Sequence, residues 1–162
     1  MKKIEPGPGQ ESVWEYPRPP RLEKTSRHLR VEFNGVVVAE SSSAYRVLET
    51  SHPPTYYFPP EDVRIDLLKP VKGQTLCEWK GAASYFDLEV NGRRAGRSVW
   101  TYRQPNGSFV PIAGYYCFYA SLMDACYVDG ELVEAQEGDY YGGWITKDIV
   151  GPFKGADGTR FW

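Results

Sequence analysis

Apolar and polar residues alternate with a period of two along much of this chain, the spacing of strands that wet one face and bury the other. Val31-Glu32-Phe33 and Leu88-Glu89-Val90 show it, and Val63, Ile65 and Leu67 against Arg64 and Asp66 show it again. Strands are therefore expected at residues 45–49, 55–58, 63–68, 74–80, 83–90 and 98–103. Three further signals place the hairpins. Asn34-Gly35, Asn91-Gly92 and Asp129-Gly130 each separate two β-prone runs. Such dipeptides readily take the positive φ angles of a type I′ turn. The first two share the form apolar-Glu-apolar-Asn-Gly, a repeated hairpin unit. Pro59-Pro60-Glu61-Asp62 reads as a turn with prolines at its start. Residues 114–123 fit a buried strand or a short helix equally, because periodicity does not separate the two.

Composition sharpens this into an all-β interior. The chain has 162 residues, and 15% of them are aromatic, interrupted by 16 Gly and 13 Pro. Aromatic strands cut short by Gly and Pro predict a mostly β single domain of many short strands. Residues 1–26 are proline-rich yet carry Trp14 and Tyr16, so they are expected to lie as a strap against a core of residues 27–137. Residues 138–162, rich in Gly and aromatics, are expected to pack on that core as an extension.

Charge and cysteine usage exclude several functions. The net charge of −2 argues against nucleic-acid binding. Cys77, Cys117 and Cys126 form no C-x-x-C pair, which fits a reducing cytoplasm and predicts no metal centre and no cofactor. The first residues lack an apolar segment of the secretory kind, and no uncharged run reaches the ~20 residues a bilayer requires.

Candidate chemistry gathers around Cys77-Glu78-Trp79-Lys80-Gly81. On a strand, Cys77 and Trp79 would face one way and Glu78 and Lys80 the other. Gly81 would then bend the strand and aim Lys80 into a hollow. Alternation sends Trp100 and Tyr102 to one face, and with one of Tyr56 or Tyr57 they would supply the aromatic walls of a pocket closed by Lys80. Glu40 and Glu49 flank the strand at residues 45–49, and Glu49, at its end beside Thr50 and Ser51, could act as an acid or base in a cleft. An amine among apolar residues suits an anionic or carbonyl ligand, and Cys77 would serve as a thiolate only if Lys80 or His52 activated it.

These motifs resemble the bacterial family known as domain of unknown function 427, sometimes labelled nucleotidyltransferase-like. The resemblance rests on Val37-Val38-Ala39-Glu40-Ser41, Pro54-Thr55-Tyr56-Tyr57-Phe58-Pro59, Cys77-Glu78-Trp79-Lys80-Gly81-Ala82-Ala83-Ser84-Tyr85, Val99-Trp100-Thr101-Tyr102 and Val128-Asp129-Gly130-Glu131. The strap and the tail resemble extensions seen in a longer subset. The resemblance implies a small, mostly β, antiparallel fold of tent or open-barrel kind with short helical turns, and no settled activity. The chain has no Gly-Ser followed by paired aspartates on a strand, which metal-dependent nucleotidyl transfer requires, and lacks the two C-x-x-C pairs by which related tents hold zinc. The expectation is a binding or sensing protein that takes a small ligand among Tyr57, Lys80, Trp100, Tyr102 and Glu49. One alternative is an enzyme acting through Lys80 with Cys77 or Glu49. Another is a partner-binding module that presents Trp144, Tyr140 and Tyr141.

Overall fold

The computed structural model describes residues 1–138 and 140–162. The proline-rich start holds β1 (Glu11–Ser12), a 3₁₀ turn at Val13–Glu15 and β2 (Arg21–Lys24). Next come β3 (Leu29–Phe33), β4 (Val36–Ser41), β5 (Tyr45–Leu48) and β6 (Thr55–Tyr57). Three long strands form the middle: β7 (Leu68–Cys77), β8 (Gly81–Val90) and β9 (Arg93–Tyr102). The chain continues with β10 (Tyr116–Phe118), β11 (Ala125–Val128), β12 (Glu131–Leu132), β13 (Glu134–Ala135), β14 (Trp144–Ile145) and β15 (Ile149–Val150). The protein is mostly β, and its helical pieces are short 3₁₀ turns. Among the described residues no helix is long and apolar enough to cross a membrane.

The hairpin turns fall where Asn-Gly and Asp-Gly demand. Asn34, Asn91 and Asp129 all have φ of 49°, each followed by a glycine at positive φ, so β3–β4, β8–β9 and β11–β12 close tightly. Two four-stranded sheets, β10-β9-β8-β7 and β12-β11-β3-β4, and a three-stranded sheet, β2-β5-β6, are antiparallel throughout; β1 and β15 pair in parallel. These sheets do not close into a barrel.

Strand alternation divides the interior into two apolar clusters. On β6 and beyond it, Tyr56 and Phe58 enter one cluster and Tyr57 the other. On β9, Val99 enters the first, and Trp100 and Tyr102 the second. On β10, Phe118 enters the first and Cys117 the second. The first cluster is the main core between the sheets. The second underlies the hollow described below. A third, of Val13, Tyr16, Leu48 and Ile149, fastens the strap and the tail to β5.

The observed elements differ from the expected ones in four places. Residues 78–80 are a hairpin loop rather than strand, since β7 ends at Cys77, which pairs directly with Gly81. Side-chain alternation therefore does not extend through Glu78, Trp79 and Lys80. Residues 63–68 make a single bridge, Ala39 to Val63, and then a 3₁₀ turn at Ile65–Leu67, over which Arg64 and Asp66 pair at 2.9 Å. Residues 114–123 combine both expected forms, strand β10 followed by a 3₁₀ turn at Ala120–Leu122. Trp144 is wholly buried, with Tyr56 and Phe58 against its ring, and so offers no surface to a partner; its neighbour Tyr140 is exposed.

Candidate functional site

The loop between β7 and β8 owes its shape to Gly81, whose φ of +107° is one that L side chains rarely adopt. This backbone turns the chain so that Lys80 lies inward, 8% exposed, while Leu76 and Glu78 stay exposed. The Asn106 N–H donates to the Lys80 carbonyl at 3.0 Å and fixes the loop from below. A methyl group at position 81 would meet only ordinary contacts, the nearest at 3.5 Å. The cost of Gly81→Ala is then conformational alone. We expect a loss of about 1–2 kcal/mol in urea unfolding, and the same loop strain should displace Lys80.

Lys80 lines a cup of about 310 Å³. One wall is aromatic. Tyr57 and Trp100 meet edge to face with centroids 6.3 Å apart, and the Trp100 Nε1–H donates to the Tyr57 hydroxyl at 3.3 Å. Tyr102 stands 6.3 Å from Tyr57, and Tyr119 packs on Trp100 at 4.6 Å. Burial holds the Tyr57 and Tyr102 phenols well above their ordinary pKa, so both remain neutral. The Lys80 ammonium sits 5.8 Å from the Tyr102 ring and 5.7 Å from that of Phe109, within cation–π range. Among the described residues no carboxylate pairs with it.

The opposite wall is polar and built from loops. Glu49 follows β5, and its carboxylate lies 3.8 Å from Arg18 and 3.6 Å from His52 Nε2. His52 is oriented by a chain of hydrogen bonds. The Gly143 N–H donates to Gln136 Oε1 at 3.0 Å, which makes the other end of this amide the donor. Gln136 Nε2 then donates to the Lys154 carbonyl at 2.7 Å and to His52 Nδ1 at 3.1 Å. With Nδ1 accepting, the ring proton resides on Nε2, toward Glu49. Burial, with Lys154, Arg18 and Lys80 adding repulsion, lowers the His52 pKa to about 4. The long contact to Glu49 does not offset these effects, so the ring is neutral at pH 7.

The tail seals this wall. Tyr141 packs edge-on against His52 at 4.9 Å, and the Lys154 ammonium lies 5.6 Å from the Tyr141 ring. Gly142 rests directly on the indole of Trp100: a Cβ there would stand 2.9 Å from Cζ3 and closer still to Cη2, so only glycine fits.

The six residues singled out in the sequence, Glu49, Tyr57, Cys77, Lys80, Trp100 and Tyr102, all line this one cup. His52, Gln136, Tyr141, Gly142 and Lys154 line it too and were not anticipated as a group. The signals available for them were slight: His52 three residues after Glu49, and a Gly-Gly pair set among aromatics. Cys77 is part-buried against the aromatic cluster and, like Cys117 and Cys126, is unpaired. Among the described residues no group of three or more His, Cys, Asp or Glu side chains could hold a metal ion.

Fold and site together define an open, mostly β protein with an aromatic cup that encloses a lysine. The chain belongs to the family described as a domain of unknown function (DUF427), whose model matches residues 21–129. That span begins at β2 and ends in the β11–β12 turn, so Gln136, Tyr141, Gly142 and Lys154 of the cup lie beyond it. No curated protein matches the chain.

Proposed function

We propose that this protein binds a small organic molecule in the cup, with Tyr57, Trp100 and Tyr102 as walls, Lys80 as the charged anchor and Glu49 on the polar wall helping to fix the ligand's orientation. The observation that carries this reading is Lys80, a buried residue whose ammonium faces aromatic rings and no carboxylate among the described residues. A lysine held largely among apolar groups without an acceptor gains by meeting one, and a ligand would supply it. The volume of about 310 Å³ lies at the small end of ligand pockets, which are mostly apolar with a few fixed polar groups.

The test is a thermal-shift screen of metabolites and nucleotides on the full chain, repeated on Lys80→Gln. Compounds that stabilise the wild type should bind the variant about 10- to 100-fold more weakly, the range expected for losing a hydrogen bond to a charged group. If every stabiliser binds both proteins equally, the ligand lies elsewhere.

A further inference from the structure

Resting on that reading, we infer that the ligand is an oxyanion on a small planar body, held between the ammonium groups of Lys80 and Lys154, and that the C-terminal segment sets this specificity. Lys80 is more than nine-tenths buried, lines the cup, and lacks an anionic partner among the described residues. The two carboxylates that also line the cup do not supply one. Glu49 is shared between Arg18 and His52, and Glu78 is exposed on the loop. Lys154 enters the cup from the opposite wall against Tyr141. Both ammonium groups lie close enough to His52 to disfavour its charged form, an independent sign that positive charge converges there.

The polar wall selects the form of the anion as well as its charge. Gln136 occupies His52 Nδ1 as a donor, so the neutral imidazole presents no free lone pair to the cup. Two ammonium groups lining one cup suit a carboxylate or a phosphate oxygen set, and disfavour an amide, which brings its own N–H groups. The aromatic wall of Tyr57, Trp100 and Tyr102 favours a flat body. Gln136 and Lys154 lie outside the span that the family model matches, so chains of this family without the tail would lack one of the two ammonium groups and the amide that fixes the His52 tautomer.

The experiment titrates the full chain calorimetrically with 4-hydroxybenzoate, phenyl phosphate and 4-hydroxybenzamide. The two anions should bind and the amide should bind at least 10-fold more weakly. A preference between the two anions identifies carboxylate or phosphate as the recognised group. Lys154→Gln should weaken the anions about 10-fold or more, and Lys154→Arg should retain them; urea unfolding of each variant checks that the fold is unchanged. If the amide binds as well as the anions, or Lys154→Gln leaves them unaffected, the oxyanion inference is overturned and the cup reading stands. If none of the three binds, while the metabolite screen yields a neutral ligand sensitive to Lys80→Gln, the inference alone falls. If neither experiment yields a ligand, both fall.

Discussion

Trp144→Ala should cost about 3–5 kcal/mol, the range for deleting a large aromatic from a packed core. Trp144 is fully buried although it comes from the tail, 15 residues past the end of the matched span at 129. Its ring lies 5.2 Å from that of Tyr56 and 6.0 Å from that of Phe58. Its Nε1–H donates to the Phe118 carbonyl at 3.1 Å, and its backbone N–H to the Pro54 carbonyl at 2.8 Å. Removing the side chain empties the middle of the main core and leaves the Phe118 carbonyl without this donor. A domain is typically stable by only about 5–15 kcal/mol, so the loss should be visible as a large drop in the urea midpoint. Leu132→Ala, at a position 61% exposed, serves as the control and should change little. A loss below about 1 kcal/mol for Trp144→Ala would mean that the tail is an appendage, and the polar wall of the cup would then have no rigid support.

The parts of the architecture that depend on neighbours in sequence could be read directly. Asn34-Gly35 and Asn91-Gly92 adopt the turns that their lack of steric penalty at positive φ allows. The alternation of Val99, Trp100 and Tyr102 sorts these residues between the two clusters as a period of two requires. Where a local pattern matched two structures, tertiary context decided. Val63, Ile65 and Leu67 alternate as in a strand, but only Val63 finds a bridging partner, and the chain turns instead. The alternation from Gln74 onward continues into residues 78–80, and nothing in the polarity of Glu78 or Trp79 marks the loop; the positive φ of Gly81 does. Lys80 was identified for a partly mistaken geometric reason. It reaches the cup from a hairpin loop and not from a bent strand.

The polar half of the cup was hidden for a different reason. His52, Gln136 and Lys154 lie far apart in sequence in irregular segments, where no periodicity reports direction. They meet only because the tail folds back, with β14 on β13, β15 beside β1, and the Lys154 N–H donating to the Ser51 carbonyl at 2.9 Å. Trp144 was misjudged on the same grounds. A tryptophan in a Gly-rich tail suits a surface patch or a core anchor equally until the tail's path is known.

His52 should make the protein less stable as the pH falls from about 6.5 to about 4, a loss of about 3 kcal/mol in total. In the native state burial, Lys154, Arg18 and Lys80 hold the imidazole's pKa near 4, against 6.5 for an unperturbed histidine. Above pH 6.5 neither state binds a proton at this ring, so stability does not vary on its account. Between 6.5 and 4 the unfolded chain takes up a proton that the native state refuses, and the equilibrium shifts toward unfolding. The groups around the ring are Glu49, Lys80, Lys154 and Arg18, with Tyr141 and Gln136 in contact. The carboxylates that native pairing holds below their ordinary range, among them Glu11 beside Arg46 and Asp129 beside Arg27, erode stability only at lower pH. The interval from about 6.5 to 4.5 therefore reports on histidine. Urea unfolding at pH 7 and pH 4.5 should show most of the loss in the wild type and much less in His52→Gln. Equal losses in both proteins would remove His52 as its source. A saturating oxyanion should reduce the wild-type loss in the same interval, because a negative charge between Lys80 and Lys154 offsets the repulsion by which they disfavour the imidazolium.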